Sequence, residues 1–116
     1  MNRSGISTHV LDTTRGTPAV GLKVVLEAYT PEREWKELGR GETDTSGRIA
    51  ELLDGSMKLV PGTYRMTFLT TAYFKSVGTE GFYPYVHVIF ELREPVTHYH
   101  IPLLLSPYGY STYRGA

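Results

Sequence analysis

The chain has no cysteine. Disulfides and thiolate metal sites are therefore excluded, and the composition suits a reducing compartment. It also lacks charge of one sign, with 12 Lys plus Arg against 12 Asp plus Glu. A balanced chain creates no bulk field that would draw it to nucleic acid or an anionic membrane, so neither is expected as a partner. No run approaches the roughly 20 apolar residues of a transmembrane helix. The opening residues, Met1 to Ser7, lack the apolar core of a secretory leader, and the closing Arg114, Gly115 and Ala116 spell no peroxisomal address. A soluble cytoplasmic protein is the expectation. Also missing are a Gly-x-Ser-x-Gly elbow, a phosphate-cradling glycine loop and any Cys–His pair, which leaves nucleophilic serine or cysteine catalysis without support.

Tyrosine, by contrast, is abundant: nine residues against four phenylalanines and one tryptophan. Tyrosine favours strands and surfaces that are half apolar and half wet, which points to an interface. At 116 residues the chain is expected to form one domain, residues 1–116, with a single core.

Short alternating segments separated by turn residues run through the chain. Ile6, Thr8 and Val10 share one strand face, and Ser7, His9 and Leu11 share the other. Leu22–Tyr29 and Trp35–Thr43 read as strands joined by a charged hairpin loop, and Asp44–Arg48 as a tight turn around Gly47. A short strand is expected over Ile49–Leu52, and further strands over Tyr64–Phe68 and Phe82–Leu92. Thr70–Val77 is the one expected helix, capped by threonine and stopped by Gly78. The chain closes with two strands around Ser106-Pro-Tyr-Gly109, placing Ile101, Leu103 and Leu105 inward and His98, His100 and Leu104 outward. Seven or eight short strands with turns between them predict an antiparallel sandwich or barrel.

The candidates for chemistry are the histidines and a turn arginine. His98 and His100 are spaced to place both rings on one strand face, about 7 Å apart. Such a pair is half of a zinc site, but no third ligand or carboxylate stands near it in sequence, so no metal is expected. Hydrolytic acid–base chemistry asks for a histidine near its working pKa, a cation to hold developing negative charge, and a water. If the first strand lies near the last two, His9 and His100 share a cleft, and Arg48 supplies the cation. Pattern alone does not fix the order of strands, and an arginine after Ser-Gly is also an ordinary solvated turn residue.

Three stretches resemble the signature blocks of the transthyretin-related family, the 5-hydroxyisourate hydrolases. They are Ser7-Thr-His-Val-Leu-Asp12 with Arg15-Gly-Thr-Pro-Ala19, then Thr43-Asp-Thr-Ser-Gly-Arg48, and lastly the run from His98 to Gly115. The resemblance covers about residues 5 to 116, and Phe82-Tyr-Pro-Tyr-Val86 also fits it. It implies a transthyretin-like all-β sandwich of two four-stranded antiparallel sheets with one short helix. It further implies a homotetramer built as a dimer of dimers, with active sites in the channel between dimers. The implied reaction is hydrolysis of a ring amide of 5-hydroxyisourate, giving 2-oxo-4-hydroxy-4-carboxy-5-ureidoimidazoline in urate catabolism, without metal or organic cofactor.

Carried onto this sequence, the resemblance implies His9, Arg48 and His100 as catalytic residues. Tyr113 and Arg114 then bind substrate, with His98, Ser111 and Ala116 in support. Strand parity places His9, His100, Ser111 and Tyr113 on outward faces, available to a groove between subunits. The family ends in Tyr-Arg-Gly-Ser, whereas this sequence ends in Tyr-Arg-Gly-Ala, exchanging a hydroxyl for a methyl at Ala116. Two other classes share the fold: a transthyretin-type carrier holding a small aromatic ligand in the channel, and a structural module docking to a partner. The joint presence of His9, Arg48, His100 and Tyr113 favours the enzyme.

Overall fold

The computed structural model describes residues 5–53, 59–93 and 98–115. In chain order the elements are β1 (Gly5–Asp12), β2 (Thr17–Pro18), β3 (Lys23–Tyr29), β4 (Trp35–Glu42) and β5 (Arg48–Ile49). Then follow β6 (Gly62–Phe68), α1 (Thr70–Ser76), β7 (Val86–Leu92), β8 (His98–Ser106) and β9 (Gly109–Thr112). One sheet runs β2-β1-β8-β9 with β5 also paired to β1, and the other runs β4-β3-β6-β7. The all-β sandwich with one short helix is thus as expected, with the first sheet carrying five strands rather than four.

The alternating apolar positions close on one another between the sheets. Ile6, Val10 and Leu103 from the first sheet, and Leu26, Met66 and Phe68 from the second, have no solvent exposure. Each such side chain contributes roughly 1.5–3 kcal/mol on burial. Polar groups inside are satisfied: the Thr8 hydroxyl donates to the Ile101 carbonyl at 2.6 Å. The buried Asp12 carboxylate accepts from the Tyr73 hydroxyl at 2.7 Å, tying α1 to β1. Burial first, and then the bond to Asp12, push the Tyr73 phenol well above its ordinary range.

Four local expectations are corrected. The central pair of the first sheet, β1 with β8, is parallel, in register from Gly5↔His98 to Asp12↔Leu105. Side-chain alternation has the same period in either direction, so it carries no information on strand polarity. The strand expected at Ile49–Leu52 is only Arg48–Ile49, because Leu52 and Leu53 turn into the core instead. The strand expected from Phe82 begins at Val86. The preceding residues dock on the helix, where the Thr70 hydroxyl donates to the Tyr83 carbonyl and the Thr71 hydroxyl to that of Pro84. With its hydroxyl spent there, Thr70 does not cap the helix; Leu69 holds the N-cap position with no side-chain bond. Gly78 does stop it, its N–H bonded to the Lys75 carbonyl. Among the described residues no helix is long and apolar enough to cross a membrane.

Candidate active site

The parallel register decides what faces what. Ser7 lies opposite His100 and Gly5 opposite His98, while on the other side of β1 His9 lies opposite Arg48. Side chains of directly paired residues share a face. The outward face of β1, β5 and β8 therefore carries Ser7, His9, Arg48, His98 and His100 together. Four of these, Ser7, Arg48, His98 and His100, line an open depression of about 400 Å³. His9 borders the cluster through its pairing with Arg48.

Arg48 is held by the turn before it. Asp44 Oδ1 accepts from the N–H groups of Ser46 at 2.8 Å and of Arg48 at 3.0 Å. Gly47 takes a φ of 77°, and a Cβ there would sit 2.5 Å from the Val10 carbonyl oxygen. Only glycine allows the turn to lie that close to β1. The N–H of Val10 in turn donates to the Gly47 carbonyl at 2.8 Å. The two backbone donors, from Arg48 and Ser46, and then the Arg48 and His9 charges, hold the Asp44 carboxyl below its usual range.

The two histidines of β8 are joined through Ser7. Its Oγ is 2.7 Å from His98 Nε2 and 2.8 Å from His100 Nδ1. His98 is exposed and His100 half-buried. Burial, followed by the neighbouring charges of His98, His9 and Arg48, lowers the His100 pKa below the ordinary 6.5. An imidazole so placed is neutral at neutral pH and free to accept a proton. The chain then returns to this ring from its far end, where the Gly115 N–H donates to the His100 carbonyl at 2.8 Å. A Cβ on Gly115 would come 2.6 Å from His100 Cδ2, so the ring packs directly against the glycine backbone.

The structure thus brings together His9, Arg48, His98 and His100. Ser111 sits one strand further out on β9, exposed and paired with Leu104 on the same face. Tyr113 and Arg114 lie elsewhere in the single chain. They line a second depression, of about 290 Å³, where β9 approaches β7, and the Arg114 guanidinium sits 5.0 Å above the Tyr99 ring. Ala116 lies outside the described residues. Sequence reasoning missed Ser7, Asp44 and Gly115. For Ser7 a signal was present, because it stands two residues before His9 and so on the same face. Among the described residues no group of three or more His, Cys, Asp or Glu side chains is arranged to hold a metal ion.

Known proteins are similar to this chain over nearly its whole length. The model of the HIUase/Transthyretin family matches residues 6–115. A 5-hydroxyisourate hydrolase from Mus musculus is 46% identical over 114 residues, covering 97% of this chain and 96% of that protein. The solved structure of Klebsiella pneumoniae 5-hydroxyisourate hydrolase superposes with a TM-score of 0.83 at 35% identity, covering 97% of this chain and 100% of that one. Transthyretin from Sparus aurata superposes with a TM-score of 0.89 at 31% identity, covering 97% of each chain. A match along residues 6–115, from the first strand through the tail that packs on His100, means that this chain belongs to the HIUase/Transthyretin family.

Proposed function

We propose that this protein hydrolyses 5-hydroxyisourate, with water as the second substrate, as its relatives' names describe for them. The observation that carries the reading is the meeting of a cation, Arg48, with a neutral, half-buried imidazole, His100, in one depression. His100 Nε2 takes a proton from water, whose oxygen attacks the carbonyl carbon of the ring amide. Arg48 holds the carbonyl oxygen as it gains negative charge. When the C–N bond breaks, the ring nitrogen receives the proton and the carbon retains the water's oxygen as a carboxylic acid. His9, beside Arg48, shares in binding the polar ring. Tyr113, Arg114, Ser111 and Ala116 form the remainder of the substrate contacts.

A homotetramer, assembled as a dimer of dimers, is part of the proposal. The depression opens to solvent in one chain, and a second copy over it would exclude water and strengthen every charge interaction inside. The transthyretin-type carrier shares the fold, but binding an apolar aromatic ligand gives no use to a face bearing three histidines and an arginine.

The test is a spectrophotometric assay on freshly generated 5-hydroxyisourate. Arg48→Ala should lose about 100- to 1,000-fold in kcat and His100→Ala about 100- to 10,000-fold. The hydrolase reading is wrong if the unaltered protein does not speed the decay of 5-hydroxyisourate, and the assignment of residues is wrong if His9→Ala, Arg48→Ala and His100→Ala all keep normal turnover in the native assembly.

A further inference from the structure

Ser7 touches two imidazoles at once and has no other side-chain bond among the described residues. A hydroxyl has one proton to donate and lone pairs with which to accept. It cannot donate to both rings, so with both neutral at least one ring donates an N–H to it, and when Ser7 spends its own proton within the trio one ring accepts while the other donates. If the Ser7 O–H points to His98 Nε2, then His100 must carry its proton on Nδ1, and His100 Nε2 is a bare lone pair. If instead it points to His100 Nδ1, the His100 proton is on Nε2. The first arrangement presents a bare lone pair at His100 Nε2 and the second an N–H, and they differ in the direction of the Ser7 proton and in the tautomer of the rings it joins.

We propose that Ser7 is a positioning residue that sets the His100 tautomer and relays protons between His100 and His98, an inference that rests on the hydrolase reading above. Before reaction His100 donates Nδ1–H to Ser7 Oγ, leaving Nε2 to take a proton from water. The ring is then a cation facing His9 from β1, Arg48 from β5 and His98 from β8, with the Asp44 carboxylate across the depression. From the tail, Arg114 is held over Tyr99. Three of these neighbours carry or can carry positive charge, so the extra proton is unwelcome on His100. His100 passes its Nδ1 proton to Ser7 Oγ as the Ser7 hydroxyl proton moves to His98 Nε2. One proton enters and one leaves Ser7, His98 becomes the cation, and His100 is neutral with its proton on Nε2. When the C–N bond breaks the relay runs back: His98 returns its Nε2 proton to Ser7 Oγ as the Ser7 proton moves to His100 Nδ1, and His100 Nε2 gives its proton to the departing ring nitrogen, leaving both rings neutral as at the start. The exposure of the rings says where the proton is held between the two steps, on exposed His98 rather than on half-buried His100.

The experiment compares Ser7→Ala and Ser7→Thr with the unaltered protein in the same assay. Ser7→Ala should lower kcat by at least about tenfold while KM changes by less than about twofold, since the role assigned to Ser7 is in proton transfer and not in holding substrate. The acid limb of its pH profile should move, and the dependence of kcat on the fraction of D2O should change from curved to linear as the two-proton relay is lost. Ser7→Thr keeps the hydroxyl and should recover most of kcat. In the unaltered protein, nitrogen NMR of the histidine rings should find His100 protonated on Nδ1 at neutral pH, a measurement independent of any variant. The proposal is overturned if Ser7→Ala keeps full kcat, if Ser7→Thr is no better than Ser7→Ala at equal melting temperature, or if His100 resides wholly as the Nε2–H tautomer. No catalysed decay by the unaltered protein would overturn the hydrolase reading itself, and full activity in Arg48→Ala and His100→Ala would overturn the assignment of the site on which the relay rests. Impaired Arg48→Ala and His100→Ala beside an unimpaired Ser7→Ala would overturn the relay alone.

Discussion

Replacing Gly115 by alanine adds one methyl group far from any apolar core, yet it should nearly silence the enzyme. The new Cβ would lie 2.6 Å from His100 Cδ2 and 3.2 Å from both His100 Cγ and the His100 carbonyl oxygen. Ordinary contact begins at 3.4 Å, so about 0.8 Å must be found by moving the tail or the ring. The tail is pinned by the hydrogen bond from the Gly115 N–H to the His100 carbonyl, at 2.8 Å. If the ring yields, it is driven toward Ser7 on the opposite side of β8, where a 2.8 Å contact leaves no room, so the ring must swing out of line with Ser7 and lose its Nδ1 hydrogen bond. A displacement of this order in a catalytic base costs about 100-fold in rate, or about 2.7 kcal/mol of barrier. Gly115 has no positive φ, so alanine meets no backbone strain and the melting temperature should hardly move. The assay is kcat and KM on freshly generated 5-hydroxyisourate, with thermal denaturation alongside. Wild-type kcat in Gly115→Ala would refute the reasoning. So would an equal loss of kcat with the His100 ring unmoved in a structure of the variant.

Two other outcomes follow from the same geometry. Because burial and nearby positive charge lower the His100 pKa, the neutral base persists to more acid pH than a free imidazole would. The acid limb of kcat/KM should therefore lie below pH 6.5, and Arg48→Gln, by removing one of those charges, should move it upward; a limb above 6.5 would contradict this. The linkage runs the same way for folding: below pH 6.5 the unfolded chain binds the His100 proton more readily, so that contribution to stability falls as pH drops. Tyr73→Phe removes the hydroxyl that donates to buried Asp12 and should cost about 1–3 kcal/mol in urea denaturation while leaving KM unchanged.

What the sequence makes legible is parity within a strand, because a period of two needs only neighbouring residues. That was enough to put His9, His98 and His100 on outward faces and Ile6, Val10, Leu103 and Leu105 inside. It was not enough to say that Ser7 meets His100, since this depends on β1 and β8 running parallel in one particular register. Nor did it reveal Gly115, whose importance is the absence of an atom next to a ring 15 residues earlier in the chain. The Thr70 cap failed for a related reason. A threonine before an amphipathic segment is a good local signal, but the carbonyl of Tyr83 offered its hydroxyl a partner from outside the segment. Choosing His100 over His98 came from family resemblance, and the structure supplies a physical ground for it in the burial of one ring and the exposure of the other.

The pairing of β1 with β8 has a consequence for how the protein comes into being. Ser7 and His100 stand 93 positions apart in sequence, yet they share one hydrogen bond at the centre of the cluster. During synthesis, the sheet of β4, β3, β6 and β7 is complete before β8 exists, and its antiparallel neighbours can pair as they emerge. β1 must wait, because its parallel partner is made only after every strand of that second sheet. Closing so long a loop is slow. A ribosome that stops short of β8 therefore releases a chain with neither His98 nor His100 and with its first strand unpaired on one side. Truncated copies have no graded, partial activity to contribute: the act that finishes the fold is the same one that assembles the catalytic face.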